Sequence, residues 1–431
     1  MPTTSASLVR GVFRAMALVA IGATGATIGC KDYLTVANPN VISSDALDPK
    51  RDATTLSLSA RENFNLAAGW MADFSSFLVW ESWPAETFPE YNQFGLRSIV
   101  NTNSPLNTNL WLNLSVALSS NEKVITILKG TTNENSNIDL ARSLLFSGYS
   151  MVVMSEDFCQ SVSGGGPPLT SQQILDTAIT RFTRAISVSQ ASAGGTPARN
   201  TEAFDIVNAA LVGKARAELQ LGRKSAAATD AAAVATGWTY NLIYADNAAS
   251  RARLSNRQYL QTRDRATIVV PPDWRTGDPR VPVAAPGTVS GLPALAADGI
   301  ISFYSQAKFT SYDAPMRLAS RLEADYISAE ASGTSAMLTL IGARRTANGQ
   351  AAYSGPTDDA SVLTEFEEQR GREFYLEGKR LGDFRRNPTA VLHVPAPGQA
   401  YFKSGYSTVG NQTCFPLPLA ETSNNPNFPK P

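Results

Sequence analysis

Histidine chemistry is almost absent from this sequence, because His393 is its only histidine. It lies in the turn-prone stretch VLHVPAPG, which predicts an ordinary surface group in a loop. One histidine cannot supply an HExxH site or a Cys/His zinc cluster, and no plausible triad partner accompanies it. The GxxxxGK[ST], GxGxxG and EF-hand patterns are also missing from the sequence. We therefore expect no metal site and no cofactor.

Carboxylates are the one catalytic device that this composition allows. Seven acidic residues cluster between positions 358 and 377, and glycoside hydrolysis uses a pair of carboxylates. Basic residues at positions 370–386 interleave with this cluster, however, and such alternation is typical of neutralising ion pairs. We therefore favour a structural role for these residues over catalysis. A surface glycosidase is the alternative that they leave open.

A ring-rich loop, VWESWPAETFPEYNQF, is the best positive feature, with five aromatic residues and two prolines. Flat rings beside short polar side chains suit a sugar, which is apolar on one face and lined by hydroxyls at its edge. We predict ligand binding by Trp80, Trp83, Tyr91 and Asn92, with Trp274 as a ring from a later loop. Packing between loops and helices is the competing explanation for any single ring.

The N-terminus has the layout of a bacterial lipoprotein signal peptide. Two arginines precede an uncharged run at residues 15–29, and Cys30 follows directly. The run is shorter than the roughly 20 apolar residues of a spanning helix. Thr27 stands where such signals usually carry Leu. We predict that residues 1–29 are removed and that Cys30 is lipidated, which attaches the protein to a membrane; the alternative is a plain signal peptide with a chance cysteine.

The charge of the chain is balanced, with 37 basic and 37 acidic residues and a charged fraction of 17%. No basic field is available to attract nucleic acid, so no nucleic-acid partner is expected. A surface with few charges suits an uncharged polar ligand better than a charged one. After Cys30 only Cys159 and Cys414 remain. In an exported protein they form a disulfide or stay as buried thiols, and no spacing rule decides between the two.

Apolar periodicity predicts a mostly α-helical protein, long enough for one large domain or two. The predicted helices cover residues 56–77, 109–128, 138–158, 315–331 and 359–378, with another that begins at Thr170-Ser171. The ring-rich loop at residues 79–94 and an irregular insertion at residues 238–311 interrupt them, because turn-forming residues replace the helical period there.

Residues 203–236 are similar in span to a tetratricopeptide unit, because two Ala-rich helices flank a break at Leu221-Gly222-Arg223. Small alanine side chains let paired helices approach closely. Residues 109–236 are therefore predicted to form three or four stacked helical hairpins with degenerate repeat sequences. A helical-repeat adaptor that binds only protein is a further alternative for a scaffold of this kind.

Four segments, in order, resemble the SusD/RagB family of outer-membrane nutrient-binding lipoproteins. The most specific is EFEEQRGREFYLEGKRLGDFRR at residues 365–386, which resembles the family's signature helix and its E-G-x-R turn. The other three are the turn Asp278-Pro279-Arg280, the segment that begins with Met316-Arg317-Leu318-Ala319, and Phe415-Pro416-Leu417-Pro418, where Leu417 replaces the usual Ile.

The resemblance implies a SusD-like α-α superhelix of tetratricopeptide-like hairpins, with an irregular, ligand-facing part packed against it. It implies a lipid-anchored, non-catalytic protein on the cell surface of the outer membrane. Such a protein captures an oligosaccharide or similar nutrient and passes it to a SusC-type TonB-dependent β-barrel. The family's binding residues vary, so none is transferred to this chain, and the family's helix at residues 365–386 is structural.

The domain organisation that follows has three parts. Residues 1–29 form the signal peptide and residues 30–55 the lipidated leader. Residues 56–431 form a single SusD-like domain, in which residues 315–431 hold the signature helices and the C-terminal tail.

Overall fold

A computed structural model describes residue 48 and residues 51–429. The predicted signal peptide, Cys30 and the leader as far as residue 47 lie outside the described residues. Contacts divide the chain into two units, Met1–Asp52 and Ala53–Pro431, and all described helices and strands belong to the second. No helix in the described part of the chain is long and apolar enough to cross a membrane.

Helices dominate the second unit, which confirms the predicted fold class. Its first part contains α1 Ala53–Leu78, α2 Pro89–Gly95, α3 Leu112–Leu128, α4 Ile138–Asp157, α5 Ser171–Ser192, α6 Pro197–Gln220 and α7 Lys224–Ala232. Its second part contains α8 Arg251–Leu254, α9 Arg257–Arg263, α10 Arg321–Ser332, α11 Thr334–Ala347, α12 Asp359–Glu373, α13 Arg380–Arg386 and α14 Leu419–Asn424. The π-helical turn Leu106–Trp111 leads directly into α3.

The strands are short and antiparallel, and they are β1 Trp83–Pro84, β2 Thr239–Leu242, β3 Ile268–Val269, β4 Val283–Ala284, β5 Ser305–Gln306 and β6 Met316–Ser320. Four of them form a sheet in the order β1-β3-β5-β4, and β2 pairs with β6. In the four-stranded sheet, Trp83 lies opposite Val269. The irregular insertion is therefore joined to the ring-rich loop through β3 and β1.

Local sequence explains where the scaffold helices begin. At α5, Thr170 and Gln173 form a capping box, in which each side chain satisfies a free backbone N–H of the first turn. Asn137 caps α4 by accepting from two backbone N–H groups. At α6, the Thr196 side chain caps the first turn and Pro197 occupies its first position. The predicted helix start at Thr170-Ser171 is confirmed.

The scaffold helices pack against one another in chain order, with α3 on α4, α4 on α5, α5 on α6 and α6 on α7. The buried ring of Phe182 on α5 lies between Gly148 of α4 and Gly213 of α6. A Cβ atom at either glycine would lie within 2.7 Å of that ring, so close packing at this level requires glycine. The stack also includes α1, which packs on α3 and α4, and α10, which packs on α7.

Three secondary-structure predictions were wrong in part. Met316–Ser320 is strand β6, because it pairs with Thr239–Leu242, and α10 starts only after it. The helix predicted at residues 359–378 ends at Glu373, since Leu376 and Gly378 adopt positive φ angles and turn the chain. The ring-rich loop contains β1 and α2, and α11 was not predicted at all.

The disulfide left open by the sequence is present between Cys159 and Cys414. It joins the segment that follows α4 to the segment that precedes α14, across 255 residues of chain. Next to it, Cys159 N donates to Phe415 O and Phe415 N donates to Asp157 O. The C-terminal segment is thus attached to the end of α4 by a disulfide bond and by backbone hydrogen bonds.

Candidate ligand-binding site

The chain turns between α1 and β1, at Trp80. Its φ of 51° lies in the left-handed region, at a cost of about 1–2 kcal/mol for a residue with a side chain. Two hydrogen bonds hold this turn: Trp80 Nε1 donates to Gly95 O at 2.8 Å, and Trp274 Nε1 donates to Trp80 O at 3.1 Å. The turn places Trp83 on β1, at the edge of the four-stranded sheet.

Trp83 belongs to an aromatic cluster that consists of Trp80, Trp83, Tyr401, Phe402 and Tyr406. The Trp83 and Phe402 rings are parallel, with centroids 4.2 Å apart and an interplanar angle of 1°. Trp80 meets both rings edge-on, and Tyr401 contacts both Phe402 and Tyr406. Trp83 and Phe402 are half-buried and Tyr406 is 37% exposed. The cluster therefore presents three rings at the protein surface.

Three of the predicted contact residues lie beneath this surface. Trp80 is 7% exposed, Trp274 is 4% exposed and Asn92 is fully buried. Asn92 Nδ2 donates to Glu86 O at 2.9 Å, and Asn92 Oδ1 accepts from the Tyr401 hydroxyl at 3.2 Å. Because their polar atoms already bond within the protein, these side chains offer no surface to a ligand. They support the exposed rings.

Tyr91 lies away from the aromatic cluster. Its half-buried ring packs on Phe74, with centroids 5.1 Å apart, and on the exposed Phe88. Its hydroxyl accepts a long hydrogen bond of 3.4 Å from Asn109 Nδ2. Of the residues predicted to bind ligand, the structure places only Trp83 at the exposed face of the cluster.

The loop that carries Phe402 is anchored through Lys403. The buried Lys403 Nζ donates to Glu86 O and pairs with Asp298 Oδ2, each at 2.9 Å. Burial raises the pKa of Asp298, but backbone N–H donors and Lys403 outweigh it and hold the pKa below its usual value. A Cβ at Gly95 would lie 2.7 Å from Tyr401 Oη, so glycine is needed for the loop to approach this closely. These contacts fix the position of Phe402.

Sequence reasoning missed Tyr401, Phe402 and Tyr406. The signal that could have found them is the stretch AYFKSGY, which places three rings between turn residues in the Pro-rich tail. Nothing in the sequence links this stretch to Trp83, more than 300 residues earlier.

The carboxylates of the signature segment are held in ion pairs, as predicted. Glu365 pairs with Arg345, Glu373 with Arg280 and Arg344, Glu377 with Lys308 and Arg317, and Asp383 with Arg370 and Arg386. Glu367 is buried, and burial together with Asp383 and Glu330 raises its pKa. A carboxyl group enclosed in this way has no access to a substrate.

His393 is not the free surface group that the sequence predicts. Its side chain is half-buried, and Nε2 lies 3.1 Å from Glu368 Oε2 while the ring lies edge-on to Trp274. Within the described residues, no group of three or more His, Cys, Asp or Glu side chains is placed to hold a metal ion.

No protein family and no curated protein matches this chain by sequence. Solved structures do match it. A SusD-like carbohydrate-binding protein from Bacteroides vulgatus has a TM-score of 0.63 at 14% identity, over 88% of this chain and 96% of that one. A surface glycan-binding protein from Bacteroides thetaiotaomicron, in complex with laminarihexaose, has a TM-score of 0.64 at 14% identity, over 87% and 97%.

The chain has the SusD-like fold. A laminarin-binding SusD-like protein agrees, with a TM-score of 0.64 at 13% identity over 88% of this chain and 98% of that one. The predicted resemblance is therefore confirmed for the fold. The three structures are those of proteins described as binding carbohydrate, laminarin or glycan.

Proposed function

We propose that this protein binds an oligosaccharide or a similar nutrient on the rings of Trp83, Phe402 and Tyr406, without catalysis. The observation that carries the proposal is the parallel, half-buried pair of Trp83 and Phe402, which shares a cluster with the exposed Tyr406 through Tyr401. A flat ring presents an apolar surface to the C–H face of a sugar, and the tyrosine hydroxyl adds a polar edge. The SusD-like structures support this class of ligand.

The buried residues that support the exposed rings favour affinity, because they hold these rings in place before a ligand binds. Trp80 and Trp274 are buried and hydrogen-bonded, and Lys403 connects the loop that carries Phe402 to the backbone at Glu86. Side chains that are already ordered lose little entropy on binding. A ligand that stacks on them therefore keeps more of its interaction free energy.

The proposal extends to delivery. We infer that Cys30 is lipidated, that the protein lies at the outer cell surface, and that it passes its ligand to a SusC-type TonB-dependent β-barrel. The lipobox-like sequence before Cys30 and the family resemblance of the signature segment support this part. The signature segment does not favour the glycosidase alternative, because its carboxylates are paired or enclosed.

The test is the binding of a panel of neutral oligosaccharides, including laminarihexaose, to the wild-type protein and to Phe402→Ala. For a glycan that binds the wild type, loss of this ring should weaken binding about tenfold, equivalent to roughly 1.4 kcal/mol. Phe204→Ala is the matched control, because Phe204 is 52% exposed but lies on α6, outside the aromatic cluster. Isothermal titration calorimetry measures affinity, and thermal melts confirm that both variants are folded.

Equal affinity of Phe402→Ala and the wild type for that glycan would remove the aromatic cluster from the site. If Phe402→Ala does not fold, Tyr406→Ser gives the same comparison, because Tyr406 is exposed and its removal disturbs little packing. Release of reducing sugars by the wild type during long incubation would contradict the non-catalytic part of the proposal.

A further inference from the structure

An open cavity of about 620 Å³ lies where the end of β5 meets the start of β6 and the end of α12. Its charged lining consists of Arg280, Lys308, Arg317, Glu373 and Glu377. None of its lining residues belongs to the aromatic cluster. We name it the cationic cavity.

The positive groups of the cationic cavity are nearer to solvent than the negative ones. The side chains of Lys308 and Arg317 are each 20% exposed, whereas that of Glu377 is 3% exposed. Lys308 Nζ and Arg317 Nη2 both approach Glu377 Oε1, at 2.7 and 3.0 Å, and Arg317 Nε donates to Oε2 at 3.0 Å. One enclosed carboxylate thus faces two cations, which leaves excess positive charge on the solvent side.

Glu377 stays ionised in this arrangement. Burial raises its pKa, but Lys308 and Arg317 outweigh burial and hold the pKa below its usual value. Arg280 and Glu373 add no net charge, because Asp278 binds the Arg280 guanidinium through two hydrogen bonds of 2.9 and 2.7 Å and Arg344 pairs with Glu373 at 2.7 Å. The positive excess is therefore localised at Lys308 and Arg317.

Several donors of the cationic cavity are left for a ligand. Among the described residues, Arg317 Nη1, the Asn241 side-chain amide and the Thr310 hydroxyl have no hydrogen-bond partner. Lys308 Nζ uses two of its three N–H groups, on Tyr375 O and Glu377 Oε1. A guanidinium N–H pair beside an ammonium group suits the two oxygens of a carboxylate. The amide and hydroxyl can bond to sugar hydroxyls.

We propose that the cationic cavity binds the carboxylate of an acidic saccharide, with Lys308 and Arg317 as its charged contacts. The sugar part of this inference rests on the proposed function, whereas the anion part stands on the cavity alone. The near-neutral composition of the chain, which by itself favours an uncharged ligand, conceals this local concentration of charge.

The experiment compares glucuronic acid with glucose, since the two sugars differ in the carboxylate. Ligand-observed NMR at low ionic strength is expected to detect glucuronic acid on the wild type and to show at least fivefold weaker binding of glucose. Lys308→Gln should weaken glucuronic acid binding about fivefold, because a charge-assisted contact is lost while Gln can still donate to Tyr375 O. High salt should weaken wild-type binding as well.

Lys214→Gln is the matched control. Lys214 is 23% exposed and also pairs with one carboxylate, Asp230, but it lies on α6. Unchanged glucuronic acid binding in Lys308→Gln, or an equal loss in Lys214→Gln, would overturn the site. Acetate that binds as tightly as glucuronic acid would overturn the saccharide assignment.

Phe402→Ala separates this inference from the proposed function. Phe402→Ala should lose neutral oligosaccharide binding but still bind glucuronic acid. Adding Lys308→Gln to Phe402→Ala should then weaken glucuronic acid binding as it does in the wild type. Loss of both in Phe402→Ala would show that the cationic cavity is not an independent site and would overturn the inference. Failure of neutral glycans to bind, with Lys308-dependent glucuronic acid binding intact, would count against the aromatic cluster alone.

Discussion

The carboxyl group of Glu81 provides a test of the packing beneath the aromatic cluster. Glu81 lies between Trp80 and Trp83 in the sequence. Its side chain is buried, and Oε1 accepts a hydrogen bond from Leu376 N at 2.9 Å. Burial, opposed by the charge of Arg380, raises its pKa from 4.5 to about 7. Because its pKa is higher in the folded state, the protonated Glu81 side chain stabilises the fold. This stabilisation is fully present below pH 4.5 and is lost as the pH rises through 7.

The size of the effect follows from the shift. Each pKa unit corresponds to about 1.4 kcal/mol. The contribution of Glu81 to the free energy of unfolding is therefore expected to fall by about 3 kcal/mol as the pH rises from 4.5 to 8.5. Glu81→Gln resembles the protonated side chain and retains an acceptor for Leu376 N, but it does not titrate. The stability of the variant relative to the wild type should therefore increase with pH by up to about 3 kcal/mol.

Urea denaturation of both proteins at pH 4.5, 6, 7 and 8.5, with the disulfide intact, measures this difference. Glu90→Gln is the control for loss of a negative charge, because Glu90 is half-buried on α2 in the same part of the chain. A stability difference between Glu81→Gln and the wild type that stays constant across this pH range would refute the reasoning. So would a difference that decreases as the pH rises.

Two further predictions concern the scaffold. Replacing Cys159 and Cys414 by Ser should lower the free energy of unfolding by about 3–5 kcal/mol, since the disulfide closes 255 residues of chain; a loss below about 1 kcal/mol in urea denaturation would contradict this. Gly213→Ala should cost about 1–3 kcal/mol, because its Cβ would lie 2.5 Å from the Phe182 ring. In the same assay Gly342→Ala, where no atom lies within 4 Å of the new Cβ, should be neutral or stabilising, and an equal loss in both variants would exclude the packing explanation.

Local sequence was sufficient for most of the helices. The Ile174, Ala178, Phe182 stripe and the Thr170 cap predict α5, and both signals operate within a few residues of one another. The strand β6 shows the limit of this reasoning. Met316–Ser320 reads as the start of a helix, but its backbone pairs with Thr239–Leu242, and pairing over that distance is invisible to a local pattern.

The ion pairs of the signature segment show a similar division. Alternating Glu and Arg predicted mutual neutralisation, and Arg370 does pair with Asp383 thirteen residues later. Yet Glu377 pairs with Lys308 and Arg317, which come from the insertion and from β6. The charge balance of the segment was therefore predictable, but the partners depended on tertiary packing.

By itself, the sequence determined the mostly helical scaffold, the single histidine that led us to expect no histidine-based site, and the place of Trp83 in a ring-rich segment. The tertiary structure decided which rings lie together. It buried Trp80, Asn92 and Trp274 beneath the surface and brought Phe402 within 4.2 Å of Trp83. The physical reason is that helical periodicity is a property of neighbouring residues, whereas an exposed stack depends on which distant segments pack together and which side chains that packing buries.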